Sequence, residues 1–234
     1  MKIEVWSDYV CPFCYIGKRQ LEIAIKQSGY EGQIEVEMKS FLLDPTTPVD
    51  TEQSVYEALA QKYNMPQEQV KSMTANVAER AKEVGLNYNF DMMKNANTTA
   101  AHRLAKWAKI KGLDAQLNER LLKAYFLEGA AIGKHDVLLE LAAEVGLDKE
   151  EAKEVLNSTQ FANEVEEDIV EAQNLGVRGV PFFVIDRKYG ISGAQPQPLF
   201  NETVVKAAKE AGLKPKLQMV GNDDAICADG QCDL

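Results

Sequence analysis

The chain has 234 residues, of which 45% are hydrophobic and 26% charged, and its formal net charge is -10. That length supports a full hydrophobic core in one large domain or two modest ones, and the composition is ordinary for a soluble globular protein. An acidic surface repels phosphate backbones, which excludes nucleic acid as an expected partner, and no run approaches the length of an apolar membrane span.

The chain opens MKIEVWSDYV, without the apolar core of a secretory signal. A reducing cytoplasm is therefore the expected compartment, where cysteines serve catalysis or metal binding more often than as staples. Ile3, Val5 and Trp6 lie in a short first strand ending at Ser7 or Asp8. Cys11-Pro12-Phe13-Cys14 follows directly. Ile16, Leu21, Ile23, Ala24 and Ile25 then predict a helix closing near Gly29. Ile34, Val36 and Met38 alternate with Glu35, Glu37 and Lys39, which predicts a second strand. The first forty residues thus read as the start of a right-handed βαβ unit.

From about Asp50 to Asn174 the periodicity is helical. Val70, Met73, Val77, Ala81 and Val84 recur at helical spacing behind Pro66. Leu104, Trp107 and Ala108 mark another helix, and Leu121, Leu122, Tyr125 and Phe126 a further one. Val137, Leu138, Leu141, Ala142 and Val145 mark the next, stopped by Gly146. The α/β pattern then returns. Val180 to Asp186 is a compact strand, Tyr189 to Ser192 can pair with it after Arg187-Lys188, and a helix near Gln197 to Ala211 ends at Gly212. The expected layout is an α/β domain in two parts, 1–45 and 163–216, with a helical domain inserted over 46–162. A polar tail, 217–234, carries Cys227 and Cys232.

Cys11 and Cys14 carry the chemistry. Disulfide exchange needs a thiolate, and a free cysteine, with a pKa of roughly 8.5, supplies little of it at neutral pH. Cys11 stands just before the first turn of a helix, where unpaired backbone N–H groups and the helix dipole favour an anion. Pro12 suits the first helical position, since the N–H it lacks has no helical partner there. Cys14 lies one turn on, close enough to close a disulfide. The expected roles are Cys11 as nucleophile and Cys14 as resolving thiol. A four-cysteine zinc site with Cys227 and Cys232 is the competing reading; the distance between the pairs and Pro12 within the first argue against it. No nucleotide or metal motif occurs, and no cofactor is expected.

Other residues have plainer readings. Asp8 ends the strand by hydrogen bonding to the turn, or shuttles a proton to Cys14. Lys18 is a solvated lysine near the dithiol. Thr98 or Thr99 caps a helix with His102 exposed in its first turn. Trp6, Phe13 and Tyr15 form an apolar collar, with core packing favoured for Trp6, and Glu164 to Asp168 forms a solvated helix face. Pro181 opens a core strand, a position where its missing donor costs little. A cis Val180–Pro181 bond beside the dithiol would expose the Val180 backbone to an extended substrate peptide.

Four stretches carry a resemblance that spans nearly the whole chain. They are Ser7 to Gly17, with the CPFC motif; Asn95 to Arg103; Gly176 to Phe183; and Cys227 to Cys232. Together they resemble the DsbA-like branch of the thioredoxin superfamily, and within it the FrnE group of cytosolic oxidoreductases. The resemblance implies an α/β thioredoxin fold with an inserted α-helical domain, in agreement with the pattern above. It implies a cis Val180–Pro181 bond and a second redox pair, Cys227 and Cys232, that exchanges with Cys11 and Cys14. The expected function is thiol–disulfide exchange, of oxidase or isomerase type, on proteins bearing disulfides or dithiols. Glutathione or thioredoxin would be the electron partner. The branch also contains a glutathione-dependent 2-hydroxychromene-2-carboxylate isomerase, which holds serine at the position matching Cys11. A glutathione-linked isomerase or transferase of small aromatic compounds is therefore the alternative enzyme, and a redox-sensing client binder the alternative without turnover.

Overall fold

The computed structural model describes residues 1–216, and the backbone of 227–228 and 231–232. Strand β1 (Lys2–Ser7) leads into helix α1 (Pro12–Ser28), which closes on Gly29 at φ 76°, and the chain returns as β2 (Glu35–Ser40). The left-handed conformation at Gly29 is one that an L side chain resists, so the predicted stop holds. Strands β3 (Phe182–Ile185) and β4 (Tyr189–Ser192) complete a sheet in the order β2-β1-β3-β4. β1 pairs parallel with β2, from Lys2 opposite Glu35 to Ser7 opposite Ser40, and antiparallel with β3.

Between β2 and β3 the chain forms α2 (Val55–Tyr63), α3 (Gln67–Lys82), α4 (Thr99–Ile110), α5 (Asp114–Glu128), α6 (His135–Glu144), α7 (Lys149–Leu156) and α8 (Ala162–Asn174). Helix α9 (Gln197–Glu210) follows β4. None of the described helices is long and apolar enough to cross a membrane. In the tail, β5 (Cys227–Ala228) and β6 (Gln231–Cys232) form a two-residue antiparallel ladder in which Cys227 and Cys232 are partners.

Successive strand residues face opposite sides of a sheet. Ile3 and Val5 pack with Leu21 of α1, Phe183 of β3, and Phe200 and Val204 of α9. Trp6 turns the other way, against Ala172 of α8, Val177 and Val184. β1 is therefore covered on both faces, and its residues from Ile3 to Ser7 are buried. A separate core fills the helical segment around Leu104, Leu117, Leu121, Phe126 and Leu138, and it takes in Tyr15 and Ile16 of α1. One helix thus serves both cores, and its N-terminus lies at their junction.

The second strand forms where the alternation predicts it, but Val36 is 41% exposed while Glu37 is buried. The Glu164–Asp168 run is expected to be solvated, yet Asp168 is buried; it accepts from the Ser40 N–H at 2.7 Å and pairs with Lys39 at 3.1 Å and with Lys106. The Trp6 indole donates to its backbone carbonyl at 2.8 Å. This side of the sheet docks on charge pairs as well as on apolar contact, so hydrophobic alternation cannot find its inward positions.

Glu37 gives the fold a pH dependence. Burial alone would raise its carboxyl pKa, but hydrogen bonds from Lys109 and Lys2, and the charges of Lys39 and Lys109, bring it down to about 2. An unfolded glutamate titrates near about 4.3. The folded value is lower, so this stabilisation is complete above the unfolded pKa and is lost as pH falls toward 2. Urea unfolding at pH 7 and pH 3 should show wild-type stability falling across that window, and falling less in E37Q. An equal fall in both proteins would remove Glu37 from the account.

Candidate active site

Cys11 is the N-cap of α1, with φ -88° and ψ 111°, and Pro12 begins the helix. Its N–H donates to the Asp8 carbonyl at 3.1 Å, and its carbonyl accepts from the Cys14 N–H at 3.0 Å. The chain therefore turns tightly from strand to helix, with Cys11 at the turn. Cys11 and Cys14 are free thiols, 5% and 1% exposed. The Cys11 thiol donates to the Val180 carbonyl at 3.4 Å. Burial, followed by the hydrogen bond and charge of Cys11, pushes the Cys14 pKa well above its ordinary value; a side-chain hydrogen bond from Ser7 and a backbone one from Asp8 oppose the rise.

The Val180–Pro181 bond is cis, as expected. Pro181 packs against α1 at Gly17, where a Cβ would approach Pro181 Cγ to 3.1 Å and Phe183 Cζ to 2.9 Å. A glycine one turn past the dithiol is what lets the helix lie so close to this segment.

A cavity of about 760 Å³ opens beside Cys11. Val10, Cys11, Pro12 and Phe13 form one wall; Met73 and Val77 of α3, with Phe90 and Met93, stand among the residues opposite. The Arg80 guanidinium lies 5.1 Å from the centre of the Phe13 ring and donates to the Ala194 carbonyl at 3.0 Å. The Tyr88 hydroxyl donates to the Pro12 carbonyl at 2.7 Å. Burial, and then the nearby Cys11 and Cys14, raise the Tyr88 pKa, so it stays a neutral donor.

The matching family model is the DSBA-like thioredoxin domain, over residues 2–221. The chain belongs to that family. Its sheet and flanking helices are accordingly a thioredoxin-type α/β fold carrying a helical insertion, and members of the family are DsbA-like thiol–disulfide oxidoreductases. Protein YwbO of Bacillus subtilis is 30% identical over 210 residues, covering 89% of this chain and 98% of that protein. A probable DsbA oxidoreductase from Streptomyces coelicolor is 36% identical with a TM-score of 0.85, covering 100% of this chain and 99% of that one. The likeness to the cytosolic disulfide reductase DsbM of Pseudomonas aeruginosa, solved with GSH, is one of fold: identity is 18%, TM-score 0.60, and coverage 91% and 98% of the two chains.

Several site expectations need correcting. His102 is buried, 4.6 Å from the Tyr9 ring centre to centre, with Nε2 3.4 Å from Asp8. Thr98 makes no side-chain cap; its hydroxyl donates to Asp8 at 2.7 Å, and Asn97 Oδ1 accepts from the Thr99 N–H instead. The Asp8 carboxylate also accepts from the Leu43 N–H at 2.8 Å, so it ties the dithiol turn to two distant segments. Of the aromatic collar, Phe13 alone lines the cavity; Trp6 packs in the core against α8, the placement favoured for it, and Tyr15 is buried with its hydroxyl on Glu119. Lys18 pairs with Glu22 and, at 2.6 Å, with Glu119. Tyr88 and Arg80 were missed, because neither stands in a motif and both reach the site from other segments. The side chains of Cys227 and Cys232 lie outside the described residues.

Proposed function

We propose that the protein exchanges disulfides with protein substrates through Cys11 and Cys14. The observation that carries this reading is the unequal placement of the two thiols. Cys11 stands at a helix N-terminus beside an apolar cavity, and Cys14 is held deeper with its pKa raised by burial. Burial keeps the second position a thiol, and the first is the one that borders the cavity. Cys11 then forms the mixed disulfide, and Cys14 resolves it. The Val180 carbonyl, 3.4 Å from the Cys11 sulfur, supports Val180 and Pro181 as the rim against which an extended substrate lies.

The reading extends to Cys227 and Cys232 as a second redox pair. Residues directly opposite in an antiparallel ladder have Cα atoms about 4.5–5.5 Å apart, inside the roughly 4.4–6.8 Å span of a disulfide. Glutathione or thioredoxin would supply or remove the electrons, and the GSH of the DsbM structure supports glutathione as the first to try.

The test is a redox titration against glutathione. In the C227S/C232S variant, Cys11 and Cys14 should close a disulfide reversibly in one two-electron transition, and the wild type should take up four electrons. A midpoint near about -120 mV marks an oxidant of the DsbA kind, and one near about -270 mV a reductant of the thioredoxin kind. A pair that closes at no poise overturns the proposal.

A further inference from the structure

Cys11 is 5% exposed, so a substrate disulfide reaches it through the cavity at its side. We propose that α2 and α3, which form one wall of that cavity, are a movable clamp that closes on an apolar side chain next to the substrate cysteine. The inference rests on the reading of Cys11 and Cys14 as the working dithiol, and it names the kind of substrate that pair meets: an unfolded segment whose cysteine has apolar neighbours.

The two helices hold their own shape. Ser54 and Glu57 form a capping box at the start of α2, Asn64 ends that helix at φ 50°, and Pro66 precedes α3. Lys71 of α3 lies 5.7 Å from the centre of the Tyr56 ring of α2. The anchors to the rest of the protein stand at the base of the pair. The Val55 N–H donates to the Met93 carbonyl at 3.1 Å, the Tyr56 hydroxyl to Asp91 at 2.9 Å, and Arg80 to the Ala194 carbonyl at 3.0 Å. Ala81, fully buried, seats the last turn of α3 in the helical core. Between these anchors, among the described residues, every hydrogen bond and ion pair made by 57–79 stays within 53–82.

Apolar packing of the pair is thin as well. Helix α2 has no buried residue, and beyond Ala81 helix α3 buries only Val70 and Thr74, whereas α5 buries a stripe from Leu117 to Phe126. Segments with few buried contacts open at low cost, and the lids of active sites are drawn from them. The side of the pair along the cavity carries Leu59, Val70, Met73 and Val77, and Met73 is 48% exposed. That is apolar surface which a bound side chain would cover. The cavity, about 760 Å³, falls in the roughly 300–1,000 Å³ range of ligand-sized sites, so it takes side chains and not a folded domain. Its charged lining residues are Asp8, Asp44 and Lys62, a balance that disfavours acidic neighbours of the substrate cysteine. Lys62, in the last turn of α2, and Asp44, on the loop after β2, form no ion pair among the described residues, and their opposite charges favour the movement that brings these two walls together.

Closure is a shift of population, and a substrate causes it only by binding the closed form more tightly than the open one. An apolar neighbour supplies that difference, because its surface leaves water when α3 comes against it. A neighbour that is polar, or absent, supplies none and leaves the wall open. The clamp therefore selects by the residue beside the cysteine, holds the mixed disulfide at Cys11 until Cys14 attacks, and reopens when the substrate leaves.

The experiment is amide hydrogen exchange, read by mass spectrometry, on the full chain as C14S/C227S/C232S, which keeps Cys11 as its one thiol. Three adducts are made. Methyl methanethiosulfonate leaves S-methyl on Cys11 and releases methanesulfinate. Two peptides, each with one cysteine carried as its mixed disulfide with thionitrobenzoate, transfer the peptide sulfur to Cys11 and release thionitrobenzoate; leucines flank the cysteine in one and aspartates in the other. In the free protein 57–79 should exchange about tenfold or more faster than α5. The leucine peptide should slow that exchange about tenfold, while S-methyl and the aspartate peptide leave it near the free value. Exchange in the free protein as slow as that of α5 overturns the clamp, and so does a leucine adduct that leaves 57–79 unchanged. Equal slowing by all three adducts overturns the apolar recognition, since modification of Cys11 alone would then tighten the wall. Failure of every reagent to form an adduct would remove the dithiol reading, and the clamp with it.

Discussion

Cys11→Ser leaves no exchange above the uncatalysed background, whereas Cys14→Ser performs the first attack and stops at a covalent adduct. The asymmetry follows from depth and charge. Cys11 caps α1, where the first N–H groups of the helix have no helical partner and the dipole favours an anion. Its sulfur reaches the Val180 carbonyl at 3.4 Å and borders the 760 Å³ cavity from which a substrate would come. Cys14 is buried one turn on, and burial makes its thiolate costly until a mixed disulfide stands next to it. Mass spectrometry after mixing with a disulfide-bearing model protein should show one stoichiometric adduct on C14S and none on C11S, both in the C227S/C232S background. A comparable adduct on C11S, formed through Cys14, would reverse the assignment.

The elements and the dithiol were legible in the sequence because their signals are local. A strand, CPFC, a helical period and a closing glycine give β1, α1 and Gly29 without tertiary information, and the Val180 to Ser192 run gives the hairpin. What was not legible depends on contacts between distant segments. Asp8 reads as a strand end, Thr98 as a cap and His102 as a surface residue, because each is polar and each stands near the end of a strand or the start of a helix. Only folding brings them together, across sequence separations of 90 and 94 residues. Asp168 was hidden in the same way: an acidic residue on a helix reads as outward until its lysine partners are known. Tyr88 and Arg80 carry no motif at all, and their roles come solely from where their segments pass α1.

The Asp8 joint should therefore be among the most sensitive points of the fold. The carboxylate is 1% exposed and accepts the Leu43 N–H at 2.8 Å and the Thr98 hydroxyl at 2.7 Å, with His102 Nε2 at 3.4 Å. Leu43 follows the sheet, Thr98 and His102 open α4, and the Asp8 carbonyl accepts the Cys11 N–H that sets the dithiol turn. Asp8→Ala strips the buried Thr98 hydroxyl and His102 imidazole, and the part-buried Leu43 N–H, of one shared partner and opens a polar void. Removing one member of a buried charged network typically costs about 3–5 kcal/mol, since the groups left behind remain desolvated. For a chain of this size each kcal/mol moves Tm by about 2–4 °C, so D8A should melt roughly 6–20 °C below the wild type. Thr98→Val removes one hydrogen bond and keeps the packing, and should cost about 1–3 kcal/mol. Thermal melts of the two variants check both the size and the order. If D8A melts within about 2 °C of the wild type, the joint is held by the surrounding apolar contacts of Tyr9 and Ala96, and the polar network is incidental to it. If the order is as expected, the stability that joins helical segment to sheet is concentrated three residues before the nucleophile.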